Sequence, residues 1–188
     1  MILSRAFAIL FALVAPLLWA AEPLAWHDAE GKVHQPFAQA NRKAAVLLFV
    51  AYDCPISNMY APEIGRLIGE FAQAQFYIVY PDPEVTAVEA KRHATEFKLS
   101  APLLLDPQLE LARKAGATVT PEAVVVDTAG NVLYRGRINN RFQDLGKERN
   151  VTTRHDLREA LLSVMAGKPV AVPETKAIGC FIPEPKKK

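Results

Sequence analysis

Two cysteines, Cys54 and Cys180, are the side chains of this chain best suited to covalent chemistry. Cys54 sits in FVAYDCPISNMYAPEIGRLI, where an apolar strand-like run passes through the cysteine and Pro55 into a helical pattern. A helix N-terminus offers unpaired N–H groups and a partial positive charge, and both favour thiolate over thiol. The chemistry expected there is nucleophilic attack on a disulfide or on an oxidant. Ser57 stands three residues on, so there is no Cys-x-x-Cys pair, and a mixed disulfide on Cys54 has no local resolving thiol. Asp53 places a carboxylate next to the thiol and works against the helix terminus.

Cys180 lies in AIGCFIP, and its apolar neighbours predict that this segment docks on the domain. If the tail folds back over the Cys54 loop, Cys180 becomes a resolving thiol. A static structural disulfide is the alternative; closing so long a loop is worth about 5 kcal/mol in the chain-entropy picture. Two free thiols or a metal pair complete the possibilities. Cys54, Cys180, Met59 and His155 are soft or borderline donors suited to Cu(I), although no zinc-type Cys/His spacing is present.

Several elements must position these groups. Residues 24–37 read as a hairpin, with Leu24, Trp26 and Val33 apolar, turn chemistry at 28–31, and His27 and His34 as exposed flanking residues. The run from Ala44 to Ala51 is continuously apolar, the pattern of a strand covered on both faces. Ile64, Leu67, Ile68 and Phe71 form the stripe of the next helix, and Pro62 either kinks that helix or delays its start to about Ala61. FYIVY, 76–80, is a second buried strand. A helix over about 84–98 follows, with Val85, Val88 and Phe97 apolar and His93 facing solvent among Lys91, Arg92 and Glu96. Residues 103–105 are a short strand, and Asp106-Pro107 starts a helix to Ala115. Residues 122–127 and 132–138 form a β-hairpin, and 139–151 read as a polar, basic loop. Thr153 and Asp156 have capping-box spacing ahead of a last helix with Leu157, Leu161, Val164 and Met165 on its stripe. This order implies an α/β domain: a central mixed sheet with parallel strands, an antiparallel edge, and helices on both faces.

The 188 residues are 51% hydrophobic and 22% charged, a globular composition with room for one sizeable core. A net charge of +2 gives no electrostatic case for a nucleic-acid partner. Arg5 followed by the apolar stretch 6–18 and then Ala20 and Ala21 reads as a cleaved secretory signal over residues 1–20, too short and too interrupted by Pro16 to span a bilayer. The expected organisation is therefore signal 1–20, domain 21–168 and C-terminal extension 169–188. The expected location is periplasmic or extracellular, with no membrane anchor after cleavage. Export places the two thiols in an oxidising compartment. No glycine-rich phosphate loop is present, so no organic cofactor is expected.

The chain resembles the thioredoxin-like redoxin group, which includes secreted thiol–disulfide oxidoreductases and peroxiredoxin-like antioxidant proteins. WHDAEGKVHQPF, the Cys54-Pro55 junction, VTPEAVVVD and GNVLYRGRI carry the resemblance in order across roughly residues 24–167. It implies a thioredoxin-like fold, Cys54 as the attacking thiol, and Pro121 as a cis-proline preceded by Thr120. The cis-proline loop would receive an extended substrate backbone, which makes Pro55, Ser57, Thr120 and Pro121 substrate-facing. Where peroxiredoxins place a proline and a hydroxyl upstream of the cysteine, this chain has Leu47 and Ala51. The Gly-Cys of the tail resembles a motif of some secreted redoxin-like proteins and would mark a subgroup. The implied partners are protein thiols or disulfides, or a small oxidant, with a thiol reductant. Among the basic residues from Arg135 to Arg154, Arg137 could lie over the thiol and offset Asp53. A catalytically silent binding or assembly module, with Cys54, Cys180 and His155 on copper, is the rival from another class.

Overall fold

The computed structural model describes residues 24–38 and 41–183. The signal expected over 1–20 and the terminal lysines lie outside the described residues. Chain order is β1 (Trp26–His27), β2 (Val33–His34), β3 (Ala45–Phe49), α1 (Pro55–Glu70), β4 (Gln75–Tyr80), α2 (Ala87–Glu96), β5 (Leu103–Leu105) and α3 (Glu110–Ala115). Then come β6 (Val119–Thr120), β7 (Glu122–Val126), β8 (Val132–Gly136), β9 (Phe142–Asp144), β10 (Lys147–Glu148), α4 (Asp156–Met165) and β11 (Cys180–Phe181).

A five-stranded sheet runs β5-β4-β3-β7-β8. β3 pairs parallel with β4, and β4 with β5, while β7 is antiparallel to both β3 and β8. All five residues of β3 are buried, as a strand covered on both faces requires. Its alternation splits the core in two. Val46 and Leu48 join residues of α1, α2 and α4, including Ile64, Leu67, Ala90, Leu157 and Leu161. Ala45, Leu47 and Phe49 face Trp26 and the α3 residues Leu111, Ala112 and Ala115. The expected mixed sheet with helices on both faces is the observed architecture. Among the described residues no helix is long and apolar enough to cross a membrane.

Pro62 lies inside α1, which begins at Pro55 and not at Ala61. The element that carries Cys54 at its start is therefore the same one that carries the apolar stripe.

Several local expectations are corrected. Val33 and Val88 are exposed, at the ends of elements whose packing is set by their neighbours. His34 is not a free hairpin residue: its Nε2 lies 2.6 Å from Asp28 Oδ2, and both side chains are nearly buried. His93 does not face solvent; it is buried on the α2 face that also buries Ala90 and Ala94. That helix starts later than expected, at a capping box between Thr86 and Glu89. α3 also starts later, at Glu110, because the Asp106 carboxylate reaches across the intervening turn to accept from the N–H groups of Leu111 and Ala112. Residues 139–151 contain the small hairpin β9–β10. The Thr153–Asp156 capping box does not form: His155 is the N-cap, Thr153 bonds Asn140, and Asp156 takes an ion pair with Arg137.

Candidate active site

Cys54 is the N-cap residue of α1, with extended backbone (φ −85, ψ 112) and Pro55 at the first helical position. β3 ends at Phe49, and the short turn over residues 50–53 leads to Cys54, so the thiol stands beyond the carboxyl end of the parallel strands, where α/β sheets bind ligands. The residue is 1% exposed. Its Sγ lies 3.4 Å from the carbonyl oxygen of Thr120, and the Thr120–Pro121 peptide is cis.

The tail completes the site. From Pro173 to Thr175 it lies along β8: Arg135 N–H donates to Pro173 O (2.9 Å) and Thr175 N–H to Arg135 O (3.0 Å). The Thr175 hydroxyl is 2.7 Å from Tyr134 Oη and accepts from the Arg137 N–H. Beyond, β11 pairs antiparallel with β6, Cys180 opposite Thr120 and Phe181 opposite Val119. Ile182 N–H donates to Thr118 O, and the Thr120 hydroxyl to Cys180 O. Two glycines admit this path. A Cβ on Gly136 would overlap Thr175 O, and one on Gly179 would overlap the carbonyl of Thr120 and stand 3.0 Å from the Pro121 nitrogen. These contacts are with backbone, so no rotamer change relieves them.

Cys180 Sγ thereby lies 2.6 Å from Cys54 Sγ, with the Cys180 thiol as donor. The two sulfurs are driven apart in acidity. Burial pushes the Cys54 thiol up, but hydrogen bonds from the Cys180 thiol and from the Ser57 and Cys180 N–H groups and the Ser57 hydroxyl outweigh it and hold it below the ordinary value. Burial pushes Cys180 up, and its bond to Cys54 and the charges of Cys54 and Asp53 add to that. Cys54 is thus the more acidic thiol of the pair and Cys180 the one that holds its proton more tightly.

The other sequence-chosen residues divide. Ser57 and Thr120 both reach the Cys54 sulfur, and Pro55 and Pro121 follow Cys54 and Thr120 directly in the chain. Ser57 is buried and also accepts from the Ala51 N–H at 3.3 Å. Asp53 acts on Cys180 where the sequence reading had it opposing Cys54. Arg137 offsets neither: its guanidinium makes bonds of 2.7 and 3.1 Å to the nearly buried Asp156 carboxylate. His155 is exposed; its Nδ1 lies 3.9 Å from Glu63 Oε1, and its backbone N–H donates to Glu159 Oε1. Among the described residues no group of three or more His, Cys, Asp or Glu side chains could hold a metal, so His155 does not join the two cysteines.

Two buttresses escaped the sequence reading. His93 Nε2 donates to Asn58 Oδ1 (2.8 Å) and Nδ1 accepts from Tyr80 Oη (2.8 Å), the tautomer that satisfies both partners. Asn58 in turn donates to Tyr52 O from its side chain and to Cys54 O from its backbone, so the chain of bonds ends on the Cys54 loop. The signal was present: Ala90, His93, Ala94 and Phe97 have i, i+3, i+4, i+7 spacing. Glu122, buried, accepts from the N–H groups of Thr118 (2.7 Å) and Val119 (3.4 Å) and so fixes β6 beside the sulfur pair.

Comparison with known proteins bears on the fold and the family. A hypothetical protein from Sinorhizobium meliloti 1021 superposes with a TM-score of 0.75 at 22% identity, over 87% of this chain and 92% of that one. An uncharacterized conserved protein from Geobacillus kaustophilus gives 0.73 at 23%, over 88% and 90%. A secreted Mycobacterium tuberculosis disulfide oxidoreductase homologous to E. coli DsbE gives 0.55 at 14%, over 77% and 96%. No functionally curated protein matches. The fold is thioredoxin-like, of the kind seen in thiol–disulfide oxidoreductases. The sequence model of the AhpC/TSA family matches residues 20–135, well over half of the chain, and the protein belongs to that family.

Proposed function

We propose that this protein is an exported thiol–disulfide oxidoreductase in which Cys54 attacks and Cys180 resolves. The observation that carries this reading is the 2.6 Å approach of the two sulfurs, with Cys54 favoured as thiolate. Cys54 thiolate attacks a substrate disulfide and expels one substrate thiol. The Cys180 thiol, once deprotonated, attacks Cys54 Sγ and releases the other. The substrate leaves as a dithiol, and the protein keeps a Cys54–Cys180 disulfide until a reductant supplying two thiols reduces it and is itself released as a disulfide. β11 is only two residues long and covers the β6 edge, so it lifts to admit an extended substrate segment in its place, beside Pro55, Ser57, Thr120 and Pro121.

The same reading takes residues 1–20 as the cleaved signal, 21–168 as the redoxin domain and 169–188 as an extension. It places the mature chain in the periplasm or outside the cell, in a subgroup marked by one N-terminal cysteine and a tail Gly-Cys. Thiol–disulfide exchange is preferred to peroxide reduction because Ala51 brings no hydroxyl to the site. It is preferred to copper delivery because the two sulfurs lack a third donor of the His, Cys, Asp or Glu kind among the described residues.

Insulin reduction by the mature protein, driven by dithiothreitol, tests the proposal. Wild type accelerates precipitation of the insulin B chain. Cys54→Ser abolishes the acceleration, while Cys180→Ser forms a mixed disulfide that accumulates. Full activity of Cys54→Ser would sink the reading.

A further inference from the structure

Backbone pairing along a strand edge is blind to sequence, and selection falls to the side-chain positions that meet the neighbour. The bonds from β11 to β6 are of the kind any peptide makes: Ile182 N–H donates to Thr118 O at 3.0 Å, and Cys180 O accepts from the Thr120 hydroxyl at 3.4 Å. The side-chain positions are not alike. Gly179 is buried, and a Cβ there would overlap the Thr120 carbonyl and stand 3.0 Å from the Pro121 nitrogen. Ile178 is half-buried against the cluster that holds Cys54, and Ile182 against the one that holds Trp26 and Phe49. Phe181, between Cys180 and Ile182, is 82% exposed. The register follows from the chemistry. Cys180 stands opposite Thr120, which brings its sulfur to 2.6 Å from Cys54 Sγ. A slip of one residue would turn a cysteine to the other face of the ribbon.

We propose that residues 178–182 are an internal copy of the substrate: the protein selects disulfides in which one cysteine lies in an extended segment of the pattern apolar, glycine, cysteine, any residue, apolar. The inference rests on the oxidoreductase reading above, in which a substrate segment takes the place of β11. A substrate cysteine that presents its sulfur to Cys54 from the β6 edge stands opposite Thr120, so the residue before it falls where Gly179 lies. The Thr120 carbonyl then excludes a side chain there, and Thr120 becomes the specificity-determining residue. Positions two before and two after the cysteine fill the places of Ile178 and Ile182, and the position directly after it, like Phe181, is left in solvent. Tail and substrate occupy one edge in turn. Cys54 thiolate attacks the substrate sulfur, and the other half of the substrate disulfide leaves as a thiolate. Return of the tail displaces the bound segment and brings Cys180 to Cys54. Cys180, having given its proton to solvent, attacks Cys54 Sγ, and the segment leaves as a thiolate that takes up a proton. One substrate disulfide becomes two thiols, and the protein dithiol becomes one disulfide.

The experiment uses the full mature chain, reduced, in single-turnover reactions with the synthetic peptide Ile-Gly-Cys-Phe-Ile, its cysteine carried as the mixed disulfide with thionitrobenzoate. Attack on the peptide sulfur releases the coloured thionitrobenzoate anion, and the Cys54→Ser chain gives the background. Each rate is divided by that of the same peptide with glutathione, which removes differences in intrinsic reactivity. Alanine in place of the peptide's glycine should slow release by about tenfold or more, the scale of a methyl forced against backbone. Alanine in place of both isoleucines should slow it as well, while alanine in place of the phenylalanine should leave it unchanged. Equal rates for the glycine and alanine peptides overturn the proposal while leaving the oxidoreductase reading intact. Release no faster from wild type than from Cys54→Ser, for every peptide, overturns both.

Discussion

Cys54 and Cys180 are separated by 126 positions in sequence, yet their sulfurs stand 2.6 Å apart. Mild oxidation is therefore expected to convert both thiols into one intramolecular disulfide. Closing that loop stabilises by about 5 kcal/mol in the chain-entropy picture. Urea denaturation of oxidised and reduced protein should show the oxidised form several kcal/mol more stable; equal midpoints would contradict the pairing.

Gly179 lets the tail reach Cys54. In Gly179→Ala the new methyl meets the Thr120 carbonyl, so β11 should lift from β6. Disulfide closure should slow by tenfold or more, which needs only about 1.4 kcal/mol of disruption. Cys180 alkylation should quicken, while the thermal midpoint of the reduced protein moves little, because the main sheet does not include β11. Stopped-flow thiol loss and iodoacetamide trapping read both quantities.

The pH profile of Cys54 alkylation should reach half its plateau below about 8.5, the value of a free cysteine. The cause is the balance in which burial raises the thiol and the Cys180 and Ser57 hydrogen bonds more than offset it. A depressed native value stabilises the reduced protein above the unfolded pKa, and that contribution is lost as pH falls through the native one. Cys180 acts with opposite sign: its native value is raised, so its contribution is present below the unfolded pKa and lost at higher pH. Cys180→Ala removes a donor to the Cys54 sulfur, and the alkylation midpoint should move up.

Arg137 is a structural partner of Asp156. Arg137→Met leaves a carboxylate of 2% side-chain exposure with only Arg154, 3.6 Å away, as its cation, and should cost up to the about 3–5 kcal/mol of a broken buried pair. The alkylation midpoint of Cys54 should not move. A shifted midpoint with unchanged stability would restore Arg137 as a modulator of the thiol.

His93→Leu leaves Asn58 Oδ1 without its donor and loosens the loop before Cys54, at a cost of about 1–3 kcal/mol. Burial holds the native His93 pKa below its usual value, an effect that Glu96 partly opposes. Its contribution to stability is present above the unfolded pKa of about 6.5 and lost as pH falls through the native value. Wild type should therefore lose stability on that acid limb more steeply than the variant, as followed by chemical denaturation between pH 5 and 8.

Much of the fold was legible because its signals are local. The apolar runs at 44–51 and 76–80 name the central strands, and the order strand, Cys54, Pro55, helix places the nucleophile without reference to distant residues. The charged neighbours Lys91, Arg92 and Glu96 masked His93, although the stripe Ala90, Ala94, Phe97 runs through it. The role of Arg137 was hidden because six basic residues between 135 and 154 look alike, and only the folded chain brings Asp156 against Arg137 at 2.7 Å and Arg154 at 3.6 Å. Thr153 and Asp156 have the spacing of a cap, but Asn140 and Arg137, both distant in sequence, offer them stronger partners.

The sequence by itself determined a thiol at the start of a helix, a Thr-Pro pair upstream of a buried strand, and a tail cysteine with apolar neighbours. Those features depend on residue type and short-range spacing. Which of the two sulfurs is the more acidic, and whether they meet at all, only the tertiary structure decided. A two-residue strand has no periodicity of its own. It finds β6 because Gly136 and Gly179 let backbone pass backbone, and the acidity of each sulfur then follows from the donors that this docking brings within reach.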